Sequence, residues 1–118
     1  MSDAERILTR GDAGAERAAR WLRDLVRSSG LDLDERPRPR WGSLNYHHPA
    51  AGYVCGVFPR DGHAMLVIEH GAALEGFDDV FDERGGRIAK ILVESVPDPR
   101  AARIVDAVIA EVALRVAP

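Results

Sequence analysis

The clearest helical periodicity lies in two segments, one near each end of the chain. Between residues 15 and 29, apolar side chains recur at positions 15, 18, 19, 22, 25 and 26, which is the spacing of one face of an α-helix. Arginines and two acids occupy the other positions, and Gly30 follows as a natural helix stop. We predict an amphipathic helix over residues 15–29, preceded over residues 1–13 by a loose or short helical lead-in.

The second periodic segment follows Pro99. Asp98 suits the N-cap of a helix, and Pro99 suits its first position. The apolar residues at positions 104, 105, 108, 109, 112 and 116 then form one continuous stripe. A C-terminal helix with one buried face is therefore predicted.

Between these helices, the pattern is typical of strands. We predict strands over residues 40–48, 52–59, 63–70 and 87–94. The turns at 49–52 and 60–62 are short, so the first three strands should pair antiparallel as a meander. Residues 64–68 are all apolar, which favours a central place in the sheet. Pro37 and Pro39 indicate that the segment before the first strand is an extended surface connection.

The predicted order is helix, three- or four-stranded meander, helix. It indicates one α+β domain over residues 1–118, with its core at about 15–116. We expect a two-layer sandwich in which the N- and C-terminal helices flank one face of the antiparallel sheet. Small sheets also cover exposed edges and faces by pairing, so a homodimer is a further expectation.

Composition narrows the classes of function. The net charge of −3 argues against a bulk electrostatic grip on nucleic acid. The longest apolar run, residues 64–68, is far shorter than the roughly 20 residues of a membrane span. Residues 1–10 carry charges where a secretory signal would be apolar, and a single cysteine, Cys55, fits a reducing compartment. We expect a cytoplasmic protein that binds neither nucleic acid nor membrane.

Three short motifs follow one another in an order that is typical of one bacterial family. They are Trp41-Gly42 with Tyr46, then Gly71-Ala72 with Leu74, then Gly85-Gly86-Arg87. On these motifs the chain resembles the YdhG-like family, a bacterial domain of unknown function, over roughly residues 15–116. Leu44 stands where the family often has a proline. The resemblance implies an α+β sandwich, and some members are described as frataxin-like, with a suggested role in handling intracellular iron.

An acidic segment is the candidate for that role. Oxygen ligands suit hard cations such as iron, and the carboxylates here are Glu75, Asp78, Asp79, Asp82 and Glu83. Frataxins, however, bind iron through an acidic ridge on their first helix, and here that helix is rich in arginine. A run of charge is more often a solvated surface. Phe77 and Phe81, four residues apart, would then anchor the segment to the core.

Aromatic and histidine side chains near the first strands are the candidate binding residues. For a small-molecule or protein partner we single out Trp41, Tyr46, His48 and His70. The aromatic residues can wall a pocket, or they can fill the core or a dimer interface. His48 and His70 would meet across strands in some registers, and imidazole beside carboxylates binds zinc or iron.

Nucleophilic chemistry has less support. Cys55 lies in mid-strand, which predicts a buried and inert thiol. Ser43 lies outside any nucleophile-elbow motif, and the chain has no glycine-rich phosphate loop. We therefore expect a binding module without established catalysis and without a cofactor. Weak iron binding through residues 75–83 is the alternative, and an unrecognised enzyme is the third hypothesis.

Titration with ferrous iron separates the first two hypotheses. We expect no site of micromolar or tighter affinity, because five carboxylates in nine residues repel one another unless water or cations screen them. Anaerobic titration calorimetry measures this affinity. A micromolar site that disappears when Asp78, Asp79 and Asp82 are replaced by asparagine would establish metal handling instead.

Overall fold

A computed structural model describes residues 1–69, 76–77 and 79–118. Three helices are present in these ranges, α1 (Asp3–Leu8), α2 (Ala13–Arg27) and α3 (Pro99–Arg115). The strands are β1 (Asp34–Arg38), β2 (Ser43–His48), β3 (Gly52–Arg60), β4 (His63–Glu69), β5 (Glu83–Gly85) and β6 (Ile88–Val93). They form one antiparallel sheet in the order β1-β2-β3-β4-β6-β5. The predicted α+β class is confirmed.

The two long helices each begin at an aspartate. Asp98 accepts a hydrogen bond from the backbone nitrogen of Arg100 at 2.9 Å, which confirms the predicted N-cap of α3. Asp12 accepts one from the backbone nitrogen of Ala15 at 2.8 Å and caps α2. The first long helix therefore starts at Ala13, earlier than the apolar periodicity indicated, because the cap and not the first apolar residue sets its start. No helix in the described ranges is long and apolar enough to cross a membrane.

The sheet is larger than the predicted meander of three or four strands. The expected connection before the first strand contains β1, and Pro37 is tolerated there because β1 lies at the sheet edge, where one side needs no partner. The next strand starts at Ser43 and not at residue 40. At the opposite edge, β5 pairs with β6 through a turn at Gly86, whose φ is +58°. The acidic segment is thus partly a strand.

One core lies between the sheet and the helices. Leu44, Val57, Leu66 and Ile91 are neighbours across β2, β3, β4 and β6, and all four are fully buried. Since β4 lies between β3 and β6, its predicted central position is confirmed. Cys55 is buried in the same core, and this burial raises the pKa of its thiol to about 12. The predicted burial of the thiol is therefore confirmed, and its low reactivity stays a prediction.

The helices contribute to this core from one side. Leu22 and Val26 of α2 and Ile104 and Val108 of α3 belong to the same buried cluster as the inward side chains of the sheet. The apolar stripes that predicted both helices are thus the surfaces that they bury. The short helix α1 adds Ile7 and Leu8 to the cluster.

A largely buried ion pair joins α2 to the edge strand β1. Arg23 donates to both carboxylate oxygens of Glu35, from Nε to Oε2 at 3.0 Å and from Nη2 to Oε1 at 2.9 Å. The hydroxyl of Tyr46 donates to Oε2 of the same carboxylate at 2.8 Å. Burial raises the pKa of Glu35, but the hydrogen bonds from Arg23 and Tyr46 outweigh it, so the pKa lies below its ordinary value. The edge strand is thereby attached to the helical layer.

A second arginine joins the two N-terminal helices. Arg20 donates from Nη2 to Glu5 of α1 at 2.7 Å and from Nε to Glu16 of its own helix at 2.9 Å. Arg20 and Arg23 therefore have structural partners.

Replacement of Glu35 by glutamine tests the link between α2 and β1. We expect Glu35→Gln to lower the free energy of unfolding by about 1–3 kcal/mol at pH 7, because Arg23 keeps its largely buried position and loses its nearer counterion, while Glu5 remains 4.0 Å away. The folded pKa of Glu35 is depressed, so its contribution is complete above the ordinary value of 4.5 and is lost as pH falls through the folded value. Urea unfolding at pH 7 and at pH 3 measures both effects.

The matched control is Glu111→Gln, which removes a helix-surface pair with Arg115. Such exposed pairs contribute only about 0.3–0.5 kcal/mol. Equal losses of unfolding free energy for the two variants at pH 7 would show that the Glu35 pair contributes no more than an exposed pair.

Candidate anion-binding site

Three connections meet at one end of the sheet. They are the junction between α1 and α2, the turn between β1 and β2, and the turn between β3 and β4. Between them lies a cleft of about 340 Å³, which we call the arginine–tryptophan cleft. Its lining residues are Ile7, Arg10, Gly11, Arg40, Trp41, Gly42, Pro59, Arg60 and Asp61.

Hydrogen bonds attach the three connections to one another. Arg10 donates from Nη1 to the carbonyl oxygen of Pro39 at 2.9 Å, which joins the α1–α2 junction to the β1–β2 turn. Asp12 accepts from the backbone nitrogen of Gly62 at 2.7 Å, which joins the start of α2 to the β3–β4 turn. The backbone hydrogen bonds from Ala15 and then Gly62 hold the pKa of Asp12 below its ordinary value. The walls of the cleft are therefore parts of one bonded framework.

Gly42 allows two guanidinium groups to come together over the backbone. Its φ is +62°, a conformation that favours glycine. A Cβ at this position would lie 3.0 Å from Nη1 of Arg10 and 3.9 Å from Nη1 of Arg60. The two nitrogens are thus at most about 7 Å apart, a distance at which like charges repel. The backbone acceptors hold them there, because Arg60 donates to the carbonyl oxygen of Pro59 at 2.8 Å.

These arginines differ from the structural ones in their lack of a counterion. Within the described ranges, Arg10, Arg40 and Arg60 make no salt bridge with a carboxylate, and neither does the adjacent Arg38. Asp61 lines the cleft without pairing to any of them. The cleft is consequently a local concentration of positive charge on a chain whose net charge is −3.

Trp41 stands beside this charge with 67% of its surface exposed. Its backbone nitrogen donates to the carbonyl oxygen of Arg38 at 3.0 Å, and that of Gly42 to Pro39 at 3.2 Å, so a turn fixes its position. The indole therefore fills no part of the core. It offers a flat aromatic surface at the edge of a cationic cleft.

The predicted binding residues lie in different parts of the molecule. Tyr46 is 1% exposed on the helix side of the sheet, where its hydroxyl is bonded to Glu35. His48 lies at the far end of β2, about 20 Å from Trp41 along the chain, and its Nδ1 accepts from the backbone nitrogens of Ala50 and Ala51. Trp41, Tyr46 and His48 thus do not form one pocket, and His70 lies outside the described residues.

The acidic segment is described only in part. Glu75 and Asp78 lie outside the described residues, and Asp79 is exposed. Asp82 accepts from the backbone nitrogen of Leu92 at 2.7 Å and from Nη1 of Arg100 at 3.1 Å. Burial raises the pKa of Asp82, but these hydrogen bonds outweigh it and hold the pKa below its ordinary value.

The neighbouring side chains of this segment also have structural contacts. Glu83 belongs to β5 and lies 3.8 Å from Nζ of Lys90. Phe77 and Phe81 pack against the core, as expected, and Cζ of Arg103 lies 4.7 Å from the centre of the Phe77 ring. Among the residues that the structure describes, no group of three His, Cys, Asp or Glu side chains is arranged to hold a metal ion.

Sequence reasoning did not find Arg10 and Arg60, because they are far apart in the chain and only the fold brings them together. A weak signal was present. Each wall of the cleft has an arginine or a tryptophan next to a turn that contains glycine, in the stretches Arg10-Gly11, Trp41-Gly42 and Arg60-Asp61-Gly62. Side chains beside such turns lie at the ends of strands and helices, where connections from different parts of the chain meet.

Comparisons of the chain with protein-family models, with curated proteins and with solved structures find no match. The interpretation of the cleft therefore rests on its own geometry and chemistry.

Replacement of Gly42 by alanine tests the close approach of Arg10. We expect Gly42→Ala to lower the free energy of unfolding by about 1–3 kcal/mol, because alanine must adopt a positive φ and its Cβ also crowds Arg10. The control is Gly30→Ala, where φ is +84° but no atom lies within 4 Å of the new Cβ. Urea unfolding of both variants separates the two effects. Equal losses would mean that the Arg10 side chain moves aside without cost.

Proposed function

We propose that this protein is a binding module whose arginine–tryptophan cleft holds a small anionic ligand. One observation carries the proposal. Arg10 and Arg60 converge over Gly42 and have no carboxylate partner among the described residues. An anion placed between them would add two attractions that offset their mutual repulsion.

The hydrogen-bonding capacity of these side chains supports the same ligand class. A guanidinium carries five N–H donors in a planar fork that matches the oxygens of phosphate or carboxylate. Arg10 and Arg60 each show one donation to a backbone carbonyl, and Cζ of Arg60 lies 5.1 Å from the centre of the Phe58 ring. Contact with a ring face uses no N–H donor, so other donors of both side chains are left for a ligand. Hydrogen bonds between charged partners are shorter and stronger than neutral ones.

The size and the charge distribution of the cleft favour a small ligand. A volume of about 340 Å³ lies in the range of small-molecule sites. The positive charge is local, since the chain as a whole carries a net charge of −3. Long-range attraction of a polyanion is therefore weak, while an anion that reaches the cleft meets three arginines.

The lining favours binding over catalysis. Arginine stays protonated in proteins, so it supplies charge and hydrogen bonds but does not exchange a proton with a substrate. Ile7 and Pro59 supply only apolar contact, and Asp61 is the single carboxylate among the lining residues. Neither residue that was weighed as a nucleophile lines the cleft, and both are buried: Cys55 is in the core, and Ser43 accepts a hydrogen bond from Nδ2 of Asn45 at 2.9 Å.

The resemblance to the YdhG-like family is compatible with this role. The Trp-Gly motif that contributes to the resemblance, Trp41-Gly42, forms one wall of the cleft. Cytoplasmic location and family membership stay predictions from the sequence. Iron handling by the acidic segment also stays a prediction, to which the described part of that segment adds no observation in favour.

Titration with inorganic pyrophosphate tests the proposal. We expect measurable binding at low ionic strength, a loss of at least about tenfold in affinity for Arg60→Ala, and weakening by added salt, because charge-assisted hydrogen bonds contribute about 1.5–3 kcal/mol each. Isothermal titration calorimetry measures these affinities. Circular dichroism of each variant checks that the fold is intact.

The matched control is Arg115→Ala. Arg115 ends α3, which starts at the cleft end of the sheet and runs away from it. This variant loses the same formal charge but should bind pyrophosphate as the unaltered protein does. Absence of pyrophosphate binding, or equal losses for Arg60→Ala and Arg115→Ala, would overturn the proposal.

A further inference from the structure

We infer that the ligand of the arginine–tryptophan cleft is an aromatic anion, a flat ring that carries a phosphate or carboxylate group. This inference rests on the proposed function and adds the chemical class of the ligand. Its basis is a second cleft of about 330 Å³, lined by Pro37, Arg38, Pro39, Arg40 and Trp41. Arg40 and Trp41 line both clefts, so the two adjoin at these side chains.

The two clefts differ in chemistry. The first contains the converging guanidinium groups of Arg10 and Arg60. The second is bordered by the rings of Pro37 and Pro39, by the indole of Trp41 and by arginine side chains, whose methylene stems are apolar. A ligand that occupies both clefts must therefore carry an anionic group at one end and an apolar group at the other.

Arg40 and Trp41, which line both clefts, favour a flat apolar group. The indole of Trp41 is 67% exposed and stacks well on a ring, and the guanidinium plane of Arg40 stacks on aromatic faces in the same way. Proline rings limit the movement of this wall because they fix the φ of residues 37 and 39. Stacking on an aromatic side chain gives a flat ring about a tenfold gain in affinity over a ligand without one.

The surroundings favour one small ligand over a nucleic-acid strand. A strand needs a continuous row of cations along its backbone. Beyond Arg38, the next exposed arginine of β1, Arg36, is bonded to Asp34 at 2.8 Å. Asp61 lies on the other side, where it lines the first cleft. The arginines that line the two clefts therefore do not continue along β1 as a row of cations without partners.

Titration of the full chain with matched pairs of ligands tests the inference. One pair is AMP and ribose 5-phosphate, which share the phosphate but not the flat base. The other pair is benzoate and cyclohexanecarboxylate, which share the carboxylate but not the flat ring. We expect at least one aromatic member to bind about tenfold tighter than its partner, and the pair that shows the difference identifies phosphate or carboxylate as the source.

The variant Trp41→Ala supplies the decisive comparison. It should remove the advantage of the aromatic member and leave the affinity for ribose 5-phosphate or cyclohexanecarboxylate unchanged. Because the indole is largely exposed, the variant should also keep the thermal stability of the unaltered protein. Trp21→Phe, which changes the other tryptophan, is the control and should keep the advantage.

The outcomes separate this inference from the proposed function. Binding of ribose 5-phosphate or cyclohexanecarboxylate, without an advantage for either aromatic partner, would overturn the inference and leave the anion site standing. The inference would also be overturned if the aromatic ligand still bound tighter than its partner in Trp41→Ala, because the ring of the ligand would then not stack on Trp41. Failure of all four ligands and of pyrophosphate would overturn both.

Discussion

The ion pair between Arg23 and Glu35 is the interaction on which the outer part of the sheet depends. The edge strand β1 has a sheet partner on one side only, and Pro37 removes one of its backbone donors. The carboxylate of Glu35 compensates by accepting hydrogen bonds from α2 and from Tyr46. The turn that follows β1 carries Trp41, so the strand that this ion pair attaches to the helices leads directly into one wall of the cleft.

In the cleft, by contrast, arginines come together without carboxylate partners among the described residues. Arg10 and Arg60 are held close together by backbone carbonyls, although their charges repel. Arg60 also lies over the ring of Phe58, but no carboxylate among the described residues neutralises either charge, whereas other arginines of the chain have such partners. Uncompensated charge that the backbone fixes in place is common at binding sites, where the ligand supplies the missing counterion. This contrast in partners is the reason to assign Arg20 and Arg23 to structure and Arg10 and Arg60 to binding.

More of the fold than of the candidate site could be predicted from the sequence. Apolar periodicity marked both long helices, and the unbroken apolar run of residues 64–68 marked β4 as central, because burial on two faces leaves a direct trace in sequence. The strands β1 and β5 were missed because proline and glycine usually signal connections, whereas at a sheet edge they are tolerated. The cleft was missed for a different reason: Trp41 was a candidate binding residue, but nothing in the sequence joins it to Arg10 and Arg60, and only the meeting of three connections brings them together.

The aromatic residues show how far a residue type can be interpreted before the fold is known. Trp41 and Tyr46 are five positions apart on the same part of the chain, yet one is 67% exposed and the other 1%. The difference arises because Gly42, at positive φ, ends the turn and directs the chain into β2, where alternation places Tyr46 beneath α2. The hydroxyl of Tyr46 donates to Glu35, while the indole stays in solvent beside arginines that have no carboxylate partner among the described residues. The exposed indole makes few contacts within the fold, so a ligand that stacks on it would bury surface that folding leaves in water. Tyr46 is already buried and bonded, and this difference distinguishes the candidate site from the core.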